Sequence, residues 1–204
     1  MLYSRSYVRF RTKTIAGECR SAGFAGLVRG LEQGALPGSF VARLGGDSRR
    51  VQCRGVEPSG RGLESLVALT KVVASRAAEF RGLLVYLASP AVFASPAPWR
   101  LPGLESFPEL ELVAAAVGKP LAVGGWDMKT REAKPLRRAV PAGSVYYLRL
   151  SDEVSGPDAT VVAEAFAKRF TLNESVSDMD GEVGFGAALV GLWDARRRRG
   201  STEQ

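Results

Sequence analysis

Five cations are concentrated in one short stretch of the second half of the chain, where they have the right chemistry to bind phosphate. An arginine can hold a phosphate through two parallel hydrogen bonds, and a lysine supplies a compact positive charge. The segment K-P-L-R-R-A-V-P-A-G carries prolines that hold a connection extended, so we expect its cations to project from a stiff loop. The other interpretation is a solvated basic loop. The cations are Lys129, Arg131, Lys134, Arg137 and Arg138.

A glycine-rich segment, G-E-V-G-F-G at residues 181–186, is the second candidate. Glycine adopts positive φ without strain, and it lets backbone amides approach a phosphate or a base. We therefore expect Gly184, Phe185 and Gly186 to be able to contact a phosphate or a base. Phe185 either stacks on a base or fills the core, and a tight hairpin turn would look the same in the sequence.

The residue types that most enzymes need are scarce. The 204 residues contain no histidine, and the two cysteines, Cys19 and Cys53, form no metal-binding or disulfide pattern. The acidic residues Asp178, Asp180 and Glu182 have no fixed geometry for Mg²⁺. We therefore predict a protein without catalytic residues, metal or cofactor.

The formal net charge of +7 favours a polyanionic partner. No apolar stretch is long enough to span a membrane, and basic residues interrupt the N-terminus where a signal peptide would be apolar. The prediction is a cytoplasmic protein that has no membrane partner.

Elements that would position these residues follow from the hydrophobic periodicity. Residues 6–14 alternate apolar and basic side chains as a half-buried strand does, and G-G-D-S at 45–48 predicts a hairpin turn. Helical periodicity covers residues 60–80 and about 157–170, and the apolar run 81–88 predicts a strand in the middle of a sheet. Proline-rich residues 89–108 predict a long loop pinned by Trp99 and Phe107. Short strands are expected within 109–127, at 145–150 and at 187–193.

This order predicts an α+β protein with a ferredoxin-like βαββαβ domain of the RNA-recognition type, to which β-hairpins and a proline-rich insertion have been added. We expect one domain over residues 1–195, the insertion at about 89–143, and a basic, disordered tail at 196–204. The aromatic signature of ordinary RNA-recognition domains is missing. Nucleic acid is therefore expected on loops and basic segments rather than stacked on the open sheet.

Three blocks together resemble the C-terminal half of subunit three of the Cmr (type III-B) effector module, a RAMP-superfamily CRISPR protein. They are G-W-D with K-P-L-R-R-A-V-P-A-G-S-V-Y-Y, then G-F-G-A-A-L-V-G-L-W, and L-G-G-D-S-R-R at 44–50. The resemblance implies a non-catalytic subunit that holds the repeat-derived 5′ handle of the guide RNA. It also implies docking on the large polymerase-like subunit and on the first backbone RAMP subunit.

The same resemblance assigns RNA contacts to the basic segment, to the G-F-G loop, and to Arg49 and Arg50 beside the matching hairpin. Family members begin with a further ferredoxin-like unit, which this chain is expected to lack.

Two other functions stay open. One is a RAMP-type endoribonuclease that processes precursor guide RNA, for which Tyr146 or Tyr147 with Lys134 would have to replace the usual histidine. The other is a protein-only module whose basic surface meets an acidic partner.

Overall fold

The computed structural model describes residues 13–15, 18–20, 32, 34–44, 49–55, 61–94, 100–127, 129–171 and 174–196. The chain divides into two compact units, Met1–Glu57 and Pro58–Gln204. Among the described residues, no helix combines the length and the apolarity that crossing a membrane requires.

The first unit contains two antiparallel strand pairs. Strand β1 (Lys13–Ile15) pairs with β2 (Glu18–Arg20), and β3 (Ser39–Leu44) pairs with β4 (Arg49–Arg54). The strands of the predicted G-G-D-S hairpin are therefore confirmed, while its turn at 45–48 lies outside the described residues. Of the strand predicted at 6–14, only Lys13 and Thr14 are described, and both belong to β1.

The second unit is built from two helices and seven strands among its described residues. Both helices lie where the periodicity predicted them, and Pro157 with Asp158 in the first turn of the second helix suits a helix N-terminus. In chain order the elements are α1 (Arg61–Phe80), β5 (Gly82–Leu87), β6 (Ala91–Val92), β7 (Leu110–Ala116), β8 (Leu121–Asp127), β9 (Glu132–Val140), β10 (Val145–Leu150), α2 (Gly156–Phe170) and β11 (Ala188–Leu192).

The main sheet has four antiparallel strands in the order β11–β5–β10–β7. The apolar run of β5 lies between two neighbours, as predicted, and every second residue is fully buried. These are Leu83, Val85 and Leu87, which join Tyr146, Leu148 and Leu150 of β10 in one core with residues of α1 and α2. A strand with such alternation has one face on the core and one face away from it.

The proline-rich segment is anchored to the second helix through an aromatic contact. Phe107 packs edge-on against Phe166, with ring centroids 5.0 Å apart, and Phe107 also lies 6.2 Å from Phe170. The predicted anchoring role of Phe107 is confirmed, and Trp99 lies outside the described residues. The segment also contains β6 and a short 3₁₀ helix, Leu104–Ser106.

The start of β5 is tied to the β10–α2 connection by Arg81. This residue has a positive φ of 57°, and its guanidinium donates hydrogen bonds to the carbonyls of Val154, Leu150 and Ser151. One side chain therefore joins the end of α1 to the loop that precedes α2.

The α+β class is confirmed, with antiparallel sheets throughout. The ferredoxin-like βαββαβ order stays a prediction, because α1 precedes β5 and the described residues between β5 and β7 contain no α-helix. A second sheet in the order β6–β9–β8 holds the candidate site.

Candidate nucleic-acid interface

Strands β8 and β9 form an antiparallel arm, which we call the basic arm (residues 121–140). A short strand was expected within 109–127, and β8 confirms it. The basic segment was expected to be a loop that prolines hold extended, and this prediction is wrong. Trp126 and Asp127 lie within β8, and Lys134, Arg137 and Arg138 lie within β9. The backbone of β9 is extended because it pairs with β8 and, at its end, with β6.

A β-bulge explains how Pro135 is accommodated in this strand. The register pairs Val123 with Arg137 and then Gly125 with Lys134, so two residues of β9, Pro135 and Leu136, oppose Gly124 alone. A bulge leaves a residue outside the regular ladder, where the missing N–H of proline costs no paired hydrogen bond.

The bulge also changes which cations share a face. In a regular strand Lys134 and Arg137 would point to opposite sides, since they are three residues apart. With the extra residue, both lie on the side of Val123 and Gly125. A Cβ placed on Gly125 would indeed lie 3.7 Å from the Lys134 side chain. We call this side of the basic arm the lysine face.

The opposite side, which we call the tryptophan face, carries two exposed apolar side chains and one cation. They are Trp126, Leu136 and Arg138; Arg138 is opposite Ala122, and a Cβ on Gly124 would touch the Leu136 side chain. The side chains of Trp126 and Leu136 are 57% and 79% exposed. The two adjacent arginines, which the sequence analysis treated as one cluster, are thus separated onto different faces.

The tip of the arm is shaped by an aspartate. The Asp127 carboxylate accepts hydrogen bonds from the backbone N–H groups of Lys129 (2.8 Å) and Thr130 (3.2 Å). These bonds, with a smaller contribution from the charge of Lys134, hold the pKa of Asp127 below its ordinary value. Lys129 and Arg131 are exposed at this tip, so all five predicted cations of the second unit are exposed on one arm.

The glycine-rich segment, which we call the glycine loop (residues 181–186), lies beside the arm. Strand β6 pairs with β9, and Val92 of β6 also bridges to Met179 just before the loop. Arg137 on the lysine face forms an ion pair with Asp180, at 3.1 Å between Nη1 and Oδ2. The structure therefore brings together the two segments that the sequence analysis identified separately.

The amides of the glycine loop, however, are used inside the protein. Gly184 donates to the carbonyl of Gly181 (3.0 Å), Phe185 to that of Asp180 (3.3 Å), and Gly186 to that of Pro90 (2.7 Å). Gly186 is buried and Phe185 is half-buried. Any RNA contact at these residues would thus involve the Phe185 ring or the close approach of backbone, rather than free N–H groups.

Arg49 and Arg50 belong to the first unit, on β4. They pair in register with Leu44 and Arg43, and Arg50 is exposed. The arginines at 43 and 50 thus oppose each other across the hairpin.

The groups suggested for RNA cleavage are poorly placed. Tyr146 is fully buried, and burial raises its pKa to about 12, so the phenol is neutral and out of reach of a phosphodiester. Tyr147 is half-buried on β10, where it packs edge-on against Trp193 with ring centroids 5.5 Å apart. Within the part of the chain that the structure describes, no cluster of acidic or cysteine side chains is arranged to hold a metal ion.

Sequence reasoning missed Trp126 and Leu136 as surface residues of the site. An aromatic residue or a leucine in an apolar strand is ordinarily a core residue. The bulge that exposes this pair has no clear sequence pattern beyond Pro135 in β9 and the two adjacent glycines in the paired strand β8.

Comparison with known families identifies the chain at the family level. A search of curated proteins finds no match. The family model described as CRISPR-associated protein (Cas_Cmr3) matches residues 1–193, which includes nearly the whole chain and agrees with the resemblance carried by the three sequence blocks. The chain therefore belongs to the Cas_Cmr3 family and is a subunit of a Cmr type III-B CRISPR effector.

Proposed function

We propose that this subunit binds the repeat-derived 5′ handle of the guide RNA without cutting it, and that the basic arm makes the main contact. The observation that carries the proposal is the bulge at Pro135, which turns Lys134 and Arg137 to the same face of an exposed arm. Residues 121–140 carry five cations and two carboxylates, and the register puts both carboxylates, Asp127 and Glu132, on the lysine face. The arm as a whole keeps a surplus of three positive charges. Such a surplus attracts a phosphate backbone.

The ion pair of Arg137 is compatible with this role. The side chains of Arg137 and Asp180 are 43% and 36% exposed, and an ion pair at the surface contributes only about 0–1 kcal/mol. A phosphate can therefore replace the carboxylate at little cost, while Asp180 keeps the guanidinium oriented before RNA arrives.

The family assignment extends the proposed contact beyond the arm. Asp180, the ion-pair partner of Arg137, directly precedes the glycine loop and accepts a hydrogen bond from the N–H of Phe185, so RNA on the lysine face would come close to Gly184, Phe185 and Gly186. Arg49 and Arg50 on β4 would add cations from the first unit. These five positions stay predictions.

We assign the docking of other subunits to the tryptophan face. Trp126, Leu136 and Arg138 have the composition of an interface hot spot, in which tryptophan and arginine are enriched. The resemblance to the Cmr subunit names the large polymerase-like subunit and the first backbone RAMP subunit as the partners.

The order of strands in the main sheet, β11–β5–β10–β7, favours a ferredoxin-like unit in which β5 and β10 are the central strands. In this proposal α1 precedes the first strand of the sheet instead of following it.

RNA binding is tested with two double variants that remove the same charge. Lys134→Ala with Arg137→Ala removes two cations from the lysine face, and Arg76→Ala with Lys168→Ala removes two exposed cations from the helices. With a repeat-derived RNA we expect the first variant to bind at least about tenfold more weakly and to lower the slope of log K against log salt by roughly 1.4. The helix variant should bind like the original protein. If both variants lost the same RNA affinity, binding would depend on net charge and not on the lysine face.

Cleavage is tested separately. Purified protein incubated with repeat RNA in EDTA should leave the RNA intact. Specific cuts that disappear in Tyr147→Phe would instead show that the protein is an endoribonuclease.

Docking is tested by copurification with the other Cmr subunits. Trp126→Ala with Leu136→Ser should lose the partner subunits and keep RNA affinity. Val161→Ser, which changes an exposed apolar residue on α2, should keep both. If the first variant still copurified with every partner, the tryptophan face would not be a docking surface.

A further inference from the structure

The main sheet has a second side, opposite the layer of α1 and α2, which we call the outer face. Alternate residues of its strands are buried against the helices, and the residues between them point to the outer face. The strand registers arrange these residues in three rows. From β11 to β7, the first row is Leu189, Tyr86, Val145 and Ala116, the second is Gly191, Leu84, Tyr147 and Ala114, and the third is Trp193, Gly82, Arg149 and Glu111.

The first two rows are apolar apart from the hydroxyl groups of their tyrosines. Tyr86 is 42% exposed, and its neighbours Leu84, Val145, Tyr147 and Leu189 are half-buried. An antiparallel sheet that faces water on one side normally carries polar residues at its outer positions. Strand β5 instead has the sequence G-L-L-V-Y-L, a continuous apolar run of the kind found in strands that are covered on both faces.

The outer face is large enough to be the core of an interface. With strands about 4.8 Å apart and alternate residues about 6.8 Å apart, the three rows cover on the order of 300 Å². The largest apolar patch on a typical monomer has a similar area, and such a patch often marks an interaction site where polar residues surround it. Trp193 adds a fixed aromatic group, because its indole N–H donates to the carbonyl of Leu148 (2.8 Å) and its ring contacts Tyr147 edge-on.

One end of the outer face is acidic, although the whole chain has a formal net charge of +7. A groove of about 350 Å³ lies there, and carboxylates from the start of β7 and from the turn after β10 line it together with Arg149. Arg149 is paired with Glu111 at 2.7 Å, and Arg81 lies 4.0 Å from Asp152. Four carboxylates against these two cations leave a surplus of two negative charges. The carboxylates are Glu109, Glu111, Asp152 and Glu153.

We propose that the outer face is a docking surface for another protein subunit, which covers the two apolar rows with apolar side chains and places a lysine or an arginine in the acidic groove. Aromatic residues are enriched at the centre of protein interfaces, and charges at their rim guide association. The surface thus predicts two properties of one partner, an apolar segment and a basic residue beside it. Docking here is independent of RNA binding and of the tryptophan face, and the family assignment only determines the probe.

The same charges argue against two other occupants. Nucleic acid would bring phosphates toward the carboxylates of the groove, and Arg149 among them is already paired. A second copy of the chain in a symmetric pair would have to meet the outer face with the same face. Among the residues of the three rows Arg149 is the one cation, so this face has no unpaired cation to place in the groove of another copy. A basic partner of different sequence meets both requirements.

The test uses the full chain and, as the probe, the purified remaining subunits of the Cmr effector assembled without it. Tyr86→Ser removes an aromatic ring from a central strand of the outer face, and Tyr86→Phe keeps the ring. We expect Tyr86→Ser to bind the probe at least about tenfold more weakly, mainly through faster dissociation. Tyr86→Phe should bind like the original protein, as should Val72→Ser at an exposed position of α1. Circular dichroism checks that each variant is folded.

A second pair of variants changes charge without touching the sheet. Asp152→Lys with Glu153→Lys reverses two exposed carboxylates of the groove, and Glu79→Lys with Glu105→Lys reverses two exposed carboxylates elsewhere. We expect the groove variant to associate with the probe about tenfold more slowly at low salt, and the difference should shrink at high salt because ions screen the attraction. The control should associate like the original protein. In the assembled effector, a carbodiimide should join Asp152 or Glu153 to a lysine of another subunit.

Unchanged binding by both Tyr86→Ser and the groove variant would overturn the inference. It would also be overturned if light scattering showed that Tyr86→Ser turns a dimer of the chain into a monomer, or if the folded variant lost affinity for repeat-derived RNA. If only Trp126→Ala with Leu136→Ser released the probe, the tryptophan face would be the docking surface and the outer face would fail alone. If the original protein did not bind the probe, docking through either face would fail.

Discussion

Burial determines what each of two adjacent tyrosines can do. Tyr146 and Tyr147 are consecutive in β10, so they point to opposite faces of the main sheet. Tyr146 is enclosed in the core, and Tyr147 lies half-buried on the other side. In the sequence, the two tyrosines are equally plausible as reactive groups. Only their positions in the sheet show that one is a core residue and the other is not.

The buried phenol predicts a loss of stability in alkaline solution. Burial raises the pKa of Tyr146 from 10.0 to about 12 in the folded protein, because the charged phenolate is poorly solvated there. The unfolded chain therefore releases this proton first, so the contribution of Tyr146 is complete below pH 10 and is lost as the pH rises toward 12. Urea unfolding in this range should show a steeper loss for the original protein than for Tyr146→Phe. If both proteins lost stability equally over this pH range, the raised pKa of Tyr146 would be contradicted.

Two glycines of the same loop predict different costs of substitution. Gly186 has a φ of 71°, and a Cβ there would collide with the backbone nitrogen of Ser177, whereas Gly184 has a φ of 96° and open space around it. Gly184→Ala should therefore cost only the left-handed backbone strain, about 1 kcal/mol in the free energy of unfolding. Gly186→Ala should cost about 3 kcal/mol, since backbone must also move. The free energies of unfolding are measured by chemical denaturation. If both substitutions lowered them equally, the collision at Gly186 would be relieved without cost.

At the scale of elements, the bulge of β9 is the feature that sequence reasoning could not reach. Helices α1 and α2 and strand β5 were predictable because their apolar residues recur with the period of the element. In β9 the alternation is broken at Pro135, and its side chains are exposed up to Arg138, so the strand resembles a charged loop. Its pairing with β8 is set by tertiary contacts rather than by local pattern.

The bulge makes a prediction that does not involve any change of charge. One glycine inserted after Gly124 would give Pro135 and Leu136 a partner each. Strand β9 would then be regular, and Lys134 and Arg137, three residues apart, would point to opposite faces of the basic arm. We expect this insertion to weaken binding of repeat-derived RNA several-fold, as the loss of one phosphate contact would. Deletion of Pro135 also removes the bulge but leaves the two cations two residues apart on one face, so it should bind normally. Normal binding by the insertion variant would mean that the arrangement of the two cations is unimportant.

At the scale of the whole molecule, the buried core belongs to the second unit. The core cluster of the described residues extends from Val73 to Val190, all within Pro58–Gln204. We therefore expect a fragment of residues 58–204 to fold alone and to unfold cooperatively in urea, as followed by circular dichroism. A fragment without a cooperative transition would instead favour the single domain over 1–195 that the sequence predicted.

Composition and motif order predicted the class of protein at this scale. The surplus of cations and the absence of histidine predicted a non-catalytic partner of a polyanion, which stays a prediction. The three family blocks predicted a Cmr subunit, and the family match confirms that assignment. The distribution of the cations over two faces, and the contact between Arg137 and Asp180, depend on pairings that are distant in the sequence. Neither can be read from residues that are neighbours only in the sequence.

The ion pair between Arg137 and Asp180 has a consequence for selectivity. Because Asp180 already occupies the guanidinium, an incoming anion must first compete with an internal rival at 3.1 Å. Isolated small anions gain too little from that exchange, whereas a polymer whose neighbouring charges also meet Lys134 gains from several contacts at once. If the basic arm binds RNA as proposed, this competition would set only a low threshold, which a chain of regularly spaced charges passes more easily than a single anion.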